Sequence, residues 1–109
     1  MLQTQQCCLI IIDIQGKLAQ LAHDKETVFN NIEVLIKTAK ALAFPIIWCE
    51  QNPKALGPTI KQLSELLKPD LPVEKFSLSC CGSAKFSDRL KVLNPRQILL
   101  CGIEAHVCV

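Results

Sequence analysis

Apolar residues along the chain fall into short runs without polar alternation, a pattern typical of strands that are buried on both faces of a parallel sheet. Three such runs occupy residues 7–12, 46–49 and 97–101. A fourth segment, residues 73–76, is short and half charged, but the loop signals on either side of it favour a strand there too. The pattern therefore predicts four strands.

Between these runs, the spacing of apolar residues changes to the three- and four-residue steps of a helix. The longest such segment is residues 24–43, with Asp24 as the expected N-cap and Pro45 beyond its end. Further helices are predicted from Pro58 through Leu67 and, with Ser83 as N-cap, through Leu93. The positions expected to face the core are Val28, Ile32, Leu35, Ala39 and Leu42 in the first helix, Ile60, Leu63, Leu66 and Leu67 in the second, and Phe86, Leu90 and Leu93 in the third.

Strands that alternate with helices predict an α/β fold, in which helices cover both faces of a mostly parallel sheet. A chain of 109 residues suffices for one domain and not for two, so we expect residues 1–109 to form a single domain. Ligands bind such sheets beyond the carboxyl ends of the strands. The residues at those positions are Asp13, Glu50, Gln51, Lys75 or its neighbours, and the turn that leads to Cys108.

Composition narrows the classes of partner. A net charge of +2 with mixed signs provides no basic stripe, and aromatic residues make up only 5%, so nucleic acid is not expected to bind. No apolar run approaches the roughly 20 residues that span a bilayer, so no membrane partner is expected. The seven cysteines are odd in number and lie mostly in apolar runs, which favours buried reduced thiols in a cytoplasmic protein over a disulfide scaffold.

A thiol, an amine and a carboxylate at one edge of a sheet have a chemical logic. Cysteine attacks as a thiolate, and a nearby ammonium group together with a helix that begins at Cys108 would favour that charged form. A carboxylate within reach can accept the thiol proton and later pass it to a leaving group. Backbone N–H groups in the turn before Cys108 can hold the oxyanion of a tetrahedral intermediate.

Three segments resemble the signature stretches of the isochorismatase-like cysteine hydrolase family, and they occur in the family's order. They are residues 9–15 (LIIIDIQ), residues 74–77 (EKFS) and, most specifically, residues 102–109 (GIEAHVCV). The resemblance extends over essentially the whole chain and implies a Rossmann-like three-layer fold. It also implies a triad of Asp13 as proton shuttle, Lys75 as supporting amine and Cys108 as nucleophile. A cis peptide bond between Ile103 and Glu104 would place the backbone N–H groups of Glu104 and Cys108 in an oxyanion hole.

The resemblance further implies the type of reaction. Family members that keep the cysteine mostly hydrolyse amide-like C–N bonds in small molecules through a covalent acyl-enzyme, without a cofactor. The nicotinamidase branch carries an Asp-x-His metal set after its second strand, but residues 48–53 of this chain contain no histidine. We therefore expect no metal. The loop at residues 51–57 resembles that of uncharacterised isochorismatase-domain proteins, with Gln15 and Gln51 as expected pocket residues.

The resemblance also bears on assembly and length. The family commonly assembles, so a homo-oligomer is expected. Family domains are longer than this chain, with further strands and helices after the nucleophile, so we expect the family's C-terminal portion to be lacking here.

From the residues alone, other interpretations stay open. Cys108 could be an inert buried thiol, Asp13 a turn residue, and Gln15 an exposed polar residue. Lys85 and Lys91 compete with Lys75 for the role of the amine. The chain as a whole could be a non-catalytic assembly or regulatory module of the same fold, or a thiol-based redox protein. A zinc cluster around His106 is not favoured, because the cysteines show no metal-type spacing.

Overall fold

Four parallel strands form one sheet in the computed structural model, which describes residues 1–109. The strands are β1 (Cys7–Ile12), β2 (Ile46–Gln51), β3 (Val73–Lys75) and β4 (Gln97–Gly102), in the spatial order β3-β2-β1-β4. The central strand β1 pairs in parallel with both neighbours, so that Leu9 lies opposite Ile46 on one side and Leu99 on the other. All four predicted strands are confirmed, including the half-charged third.

Five α-helices connect the strands. They are α1 (Gly16–Gln20), α2 (Lys25–Ala41), α3 (Pro53–Leu56), α4 (Lys61–Leu67) and α5 (Ala84–Leu93), with single 3-10 turns at Thr4–Gln6 and Cys80–Gly82. The one-turn helices α1 and α3 are too short to leave a periodic pattern, and the sequence did not predict them. The prediction that Pro58 begins a helix is wrong. Thr59 pairs with Gln15 in an isolated bridge that keeps this segment extended, so α4 begins only after Ile60.

The helices cover both faces of the sheet, which confirms the predicted three-layer α/β fold. Helices α1, α2 and α4 pack on one face, and α5 packs with the 3-10 turn at Cys80–Gly82 on the other. The side chains that fill the first interface include Leu9, Ile11, Phe29, Ile36, Leu63 and Leu67. Those that fill the second include Cys8, Ile10, Ile47, Cys49, Val73 and Phe86.

The buried stripe of α2 differs slightly from the predicted one. Phe29, Ile32, Ile36 and Ala39 are buried, whereas Val28 and Leu35 only flank the core. Leu42 is 51% exposed, because the helix ends at Ala41. Asp24 does occupy the N-cap position, but its carboxylate accepts a hydrogen bond from the Thr27 hydroxyl (3.0 Å) and not from a backbone N–H. By contrast, Ser83 caps α5 as predicted, since its hydroxyl accepts from the Phe86 N–H.

Strand β4 forms an edge of the sheet and is less buried than its pattern predicted. Every residue of β1 is buried, but Ile98 and Leu100 of β4 are 47% and 52% exposed, because no element covers them. All seven cysteines are free thiols, in line with the prediction of reduced cysteines; four are buried, Cys101 and Cys108 are partly exposed and Cys81 is exposed. None of the helices combines the length and apolar character needed to cross a membrane.

Candidate active site

Asp13 lies directly beyond the carboxyl end of β1. Its backbone adopts a left-handed conformation (φ 56°), and its N–H donates to the Cys49 carbonyl of the neighbouring strand at 3.2 Å. This hydrogen bond fixes the turn that leaves the sheet. The Asp13 side chain is only 2% exposed, so its carboxylate is withdrawn from bulk water.

Lys75 is the last residue of β3, and it supplies the charge that Asp13 needs in this buried position. Its Nζ lies 3.0 Å from Asp13 Oδ2 and also donates to the carbonyls of Ser77 (3.1 Å) and Leu78 (2.8 Å). All three protons of the ammonium group therefore have acceptors. Lys85 and Lys91 both belong to α5 and are exposed to solvent, so neither takes part in this arrangement.

Cys108 completes the group, and its thiol is partly exposed. Burial and the neighbouring Asp13 carboxylate together raise the pKa of the thiol to about 11, although Lys75 acts in the opposite direction. Asp13 is close enough to perturb the thiol, yet its buried Oδ1 has no partner in hydrogen-bond geometry.

The raised pKa favours the neutral thiol of Cys108 over the thiolate. The Lys75 charge opposes this only in part, because the ammonium group already donates to Asp13 and to two carbonyls.

The turn before Cys108 contains the cis peptide bond between Ile103 and Glu104 that the resemblance implied. The Glu104 N–H donates no hydrogen bond within the protein, whereas the Cys108 N–H donates to the Glu104 carbonyl at 3.1 Å. Gly102 brings this turn against β1, because a Cβ at that position would collide with the Ile12 carbonyl. Of the two expected oxyanion-hole donors, one is free and the other is occupied.

Gln15 and Gln51, the expected pocket residues, form hydrogen bonds that join neighbouring segments of the chain. Gln15 is fully buried, which excludes the exposed turn residue considered as an alternative. Its Nε2 donates to the carbonyls of Gln51 (3.0 Å) and Gly57 (2.8 Å), and its Oε1 accepts from the Gln51 N–H (2.8 Å). The Gln51 side chain is half-buried and donates to the Phe76 carbonyl at 2.9 Å. These bonds tie the end of β2 to the segments on either side of it.

Replacing Gln15 with Leu is expected to lower the free energy of unfolding by about 2–4 kcal/mol, since one N–H and two carbonyls lose a buried partner. Urea denaturation measures this loss. The matched control is Gln20→Leu on the exposed side of α1, which should change stability by less than about 0.5 kcal/mol. Equal stability of the two variants would show that the Gln15 hydrogen bonds contribute nothing.

Glu50 carries a second buried carboxylate. The sequence placed this residue at the carboxyl edge of the sheet. In the structure its side chain lies on the opposite face of the sheet from the side chain of Cys49. Both the N–H and the hydroxyl of Thr59 donate to Glu50 Oε2, at 2.6 and 2.7 Å. The Trp48 Nε1 in turn donates to the Thr59 hydroxyl at 2.7 Å. These three residues line a cavity of about 640 Å³. The sequence missed this network because Thr59 follows a loop whose course no local pattern reveals.

The walls of the five main cavities contain neither Asp13 nor Cys108. Ile103 and Glu104 line a cavity of about 330 Å³ together with His23, and Lys75 lines another of about 390 Å³ with Ser77. No group of three or more His, Cys, Asp or Glu side chains is placed to hold a metal ion. His106 lies 3.8 Å from the Glu104 carboxylate on the surface.

Comparison with known proteins agrees with the overall fold. Isochorismatase domain-containing protein 2 of Danio rerio is 35% identical over 109 residues, which cover 99% of this chain and 54% of that protein. Among solved structures, the MAR1 ribonuclease of Caenorhabditis elegans has a TM-score of 0.87 and 33% identity, covering 98% of this chain and 55% of that chain. The YcaC gene product of Escherichia coli, described as an octameric hydrolase of unknown specificity, also has a TM-score of 0.87, at 20% identity, covering 99% and 55%.

The chain thus spans about half the length of the relatives that it matches. The family match covers nearly the whole of this chain, since the sequence fits the isochorismatase domain over residues 7–109. Because this match covers more than half of the sequence, the chain belongs to the isochorismatase domain family.

Proposed function

We propose that Asp13, Lys75 and Cys108 are the catalytic triad of a hydrolase that cleaves a C–N bond in a small amide-type substrate. The observation that carries this proposal is the buried pair of Asp13 and Lys75, 3.0 Å apart, beside Cys108, whose pKa is raised by burial and by the Asp13 carboxylate. Buried charges are expensive to maintain, and a carboxylate whose second oxygen has no partner is not explained by folding alone.

In the proposed reaction, Cys108 starts as a neutral thiol. As Sγ attacks the carbonyl carbon of the substrate, Asp13 Oδ1 accepts the thiol proton, and Lys75 keeps the carboxylate in position. The tetrahedral oxyanion is held by the Glu104 N–H and by the Cys108 N–H once the latter turns away from the Glu104 carbonyl. The C–N bond then breaks, and the amine leaves with the proton from Asp13.

The second half of the reaction restores the enzyme. A water molecule attacks the thioester carbonyl while Asp13 takes one of its protons. The thioester bond breaks, the acid is released, and the sulfur of Cys108 recovers the proton from Asp13. One amide and one water become one acid and one amine, so the sequence of steps needs no cofactor.

We further propose that the substrate is small and that the chain works in the reducing cytoplasm. The name of the C. elegans relative refers to a ribonuclease, but this chain has a net charge of only +2 and few aromatic residues, which disfavours RNA. Seven free cysteines suit a reducing compartment.

We also propose that the chain forms a homo-oligomer. Ile98 and Leu100 of the edge strand β4 expose an apolar surface on one face of the sheet, which a partner copy would cover. The octameric description of the E. coli protein is in keeping with this.

A non-catalytic assembly module is the second candidate. Two observations favour it: the Cys108 N–H is already bonded to the Glu104 carbonyl, and none of the main cavities includes Cys108. The two functions differ in what they require of Cys108. A catalytic cysteine must be coupled to Asp13, whereas an assembly module has no use for that coupling.

The pH dependence of Cys108 alkylation by iodoacetamide tests the coupling. The alkylation rate should rise with pH, and the midpoint of this rise should lie near pH 11. Asp13→Asn should move the midpoint to lower pH, because removing the carboxylate charge makes the thiolate easier to form. Mass spectrometry of digested samples follows the reaction. The exposed Cys81 provides a reference in the same sample and should not respond to Asp13→Asn. An unchanged midpoint at Cys108 would refute the proposed contact.

A further inference from the structure

A pair of sulfur atoms lies close to the candidate site. Cys49 of β2 and Cys80 of the 3-10 turn at Cys80–Gly82 have their Sγ atoms 3.8 Å apart. Cys49 is fully buried and Cys80 is 6% exposed. The proposed hydrolysis uses neither thiol. Two buried thiols in contact, contributed by segments 31 residues apart, form the arrangement from which a disulfide can be made.

The two cysteines differ in how freely they can move. Cys49 sits in an interior strand, paired with β1 at Ile12 and with β3 at Val73. Cys80 begins a three-residue turn that is flanked by the exposed residues Ser79 and Cys81. Because a disulfide requires the sulfurs to approach to about 2 Å, the turn is the element that has to shift, by roughly the length of one bond.

The electrostatic surroundings make the two thiols unequal. The hydrogen bond between them lowers the pKa of Cys80 and raises that of Cys49, and the nearby Lys75 charge further lowers the pKa of Cys80. The lowered pKa and the position between the exposed residues Ser79 and Cys81 both favour Cys80 as the thiol that reacts first. A thiolate reacts with oxidants far faster than a thiol does, so Cys80 would react with the oxidant and Cys49 would resolve the product.

We propose that Cys49 and Cys80 form a reversible disulfide when the protein meets a peroxide. The Cys80 thiolate attacks one oxygen of hydrogen peroxide, the O–O bond breaks, and with one proton taken up the products are a Cys80 sulfenic acid and water. The Cys49 thiol then attacks the sulfenic sulfur, an S–S bond forms, and the hydroxyl leaves as water with the Cys49 proton. The thiols lose two electrons in total, and the peroxide gains them.

The disulfide would act on the site through Lys75, a consequence that rests on the proposed function. The carbonyls of Ser77 and Leu78, which hold Nζ, lie two or three residues before Cys80. The Ser77 hydroxyl also donates to the Ser79 carbonyl at 2.7 Å, so the segment behaves as one unit. When Cys80 moves towards Cys49, these carbonyls move with it. Oxidation is thus expected to slow the reaction of Cys108, and reduction to restore it.

Peptide mapping tests the disulfide without any measurement of activity. The protein is treated with hydrogen peroxide, remaining thiols are alkylated, and a tryptic digest is analysed without reduction. Cys49 lies in the peptide of residues 41–54, and Cys80 shares residues 76–85 with Cys81. We expect a cross-linked pair of these two peptides, the loss of both thiols from alkylation, and full recovery after dithiothreitol.

Three variants assign the bond. Cys81→Ser should leave the cross-link intact, whereas Cys80→Ser and, independently, Cys80→Ala should abolish it. Circular dichroism verifies that each variant is folded. Recovery of alkylated Cys49 from peroxide-treated protein would overturn the proposal, as would a bond that depends on Cys81 or Cys108. Because the readout is a covalent link, an inert Cys108 would defeat the proposed hydrolase and leave this result unaffected.

Discussion

Replacing Lys75 with Met is expected to lower the free energy of unfolding by about 3–5 kcal/mol, because it leaves the Asp13 carboxylate buried without a counter-charge. Met has similar length and keeps the contacts of the aliphatic stem, so the change reports on the ammonium group. Loss of the ammonium group also deprives the carbonyls of Ser77 and Leu78 of a hydrogen-bond donor. Urea denaturation, monitored by the fluorescence of Trp48, measures the effect.

Two further variants make the Lys75 measurement specific. Lys91→Met removes an exposed lysine from α5 and should change stability by less than about 0.5 kcal/mol. The double variant Asp13→Asn with Lys75→Met removes both charges and should be more stable than Lys75→Met alone. If Lys75→Met costs less than about 1 kcal/mol, the pair is not the buried ion pair described above.

Replacing Cys108 with Ala is expected to reduce amide hydrolysis by a factor on the order of 10³ or more, because the proposed covalent pathway has no substitute for its nucleophile. Stability should change by less than about 1 kcal/mol, since Cys108 is partly exposed and packs only at the margin of the core. The activity is measured as the release of ammonia from a panel of small primary amides and carbamoyl compounds.

Cys81→Ala is the control for the loss of a cysteine, since that thiol is exposed and has no role in the proposed hydrolysis. Cys108→Ser distinguishes a sulfur requirement from a volume effect. If Cys108→Ala keeps the activity of the unmodified protein, the triad is not the source of hydrolysis. An RNA substrate included in the panel would be cleaved only if the proposal of a small amide is wrong.

The sheet could be predicted from the sequence because continuous apolar runs bounded by turn residues leave few alternatives. The half-charged third strand was predicted only from the loop signals around it, and the structure shows why its pattern is mixed. Val73 and Lys75 point inward while Glu74 is exposed. One of the inward residues is therefore the charged partner of Asp13, a buried ion pair that hydrophobic periodicity cannot reveal.

The site was only partly predictable. The topological rule placed Asp13 and Lys75 at one edge of the sheet, but choosing Lys75 over Lys85 and Lys91 needed the family resemblance. The roles of Gln15 and Glu50 depend on which way each backbone turns after its strand, and local patterns carry no such information. The raised pKa of Cys108 could not be foreseen either, because it depends on how far the thiol is buried and on how close it lies to the Asp13 carboxylate.

The most direct measurement of the central claim is intact mass spectrometry of the protein during turnover of an amide, followed by peptide mapping. The triad predicts a transient acyl adduct on Cys108 that hydroxylamine removes, that is absent from Cys108→Ala and that forms more slowly in Asp13→Asn. Hydrolysis that proceeds without any adduct on Cys108, or an adduct that forms equally well in Asp13→Asn, would contradict the assignment of Asp13, Lys75 and Cys108 as one catalytic unit.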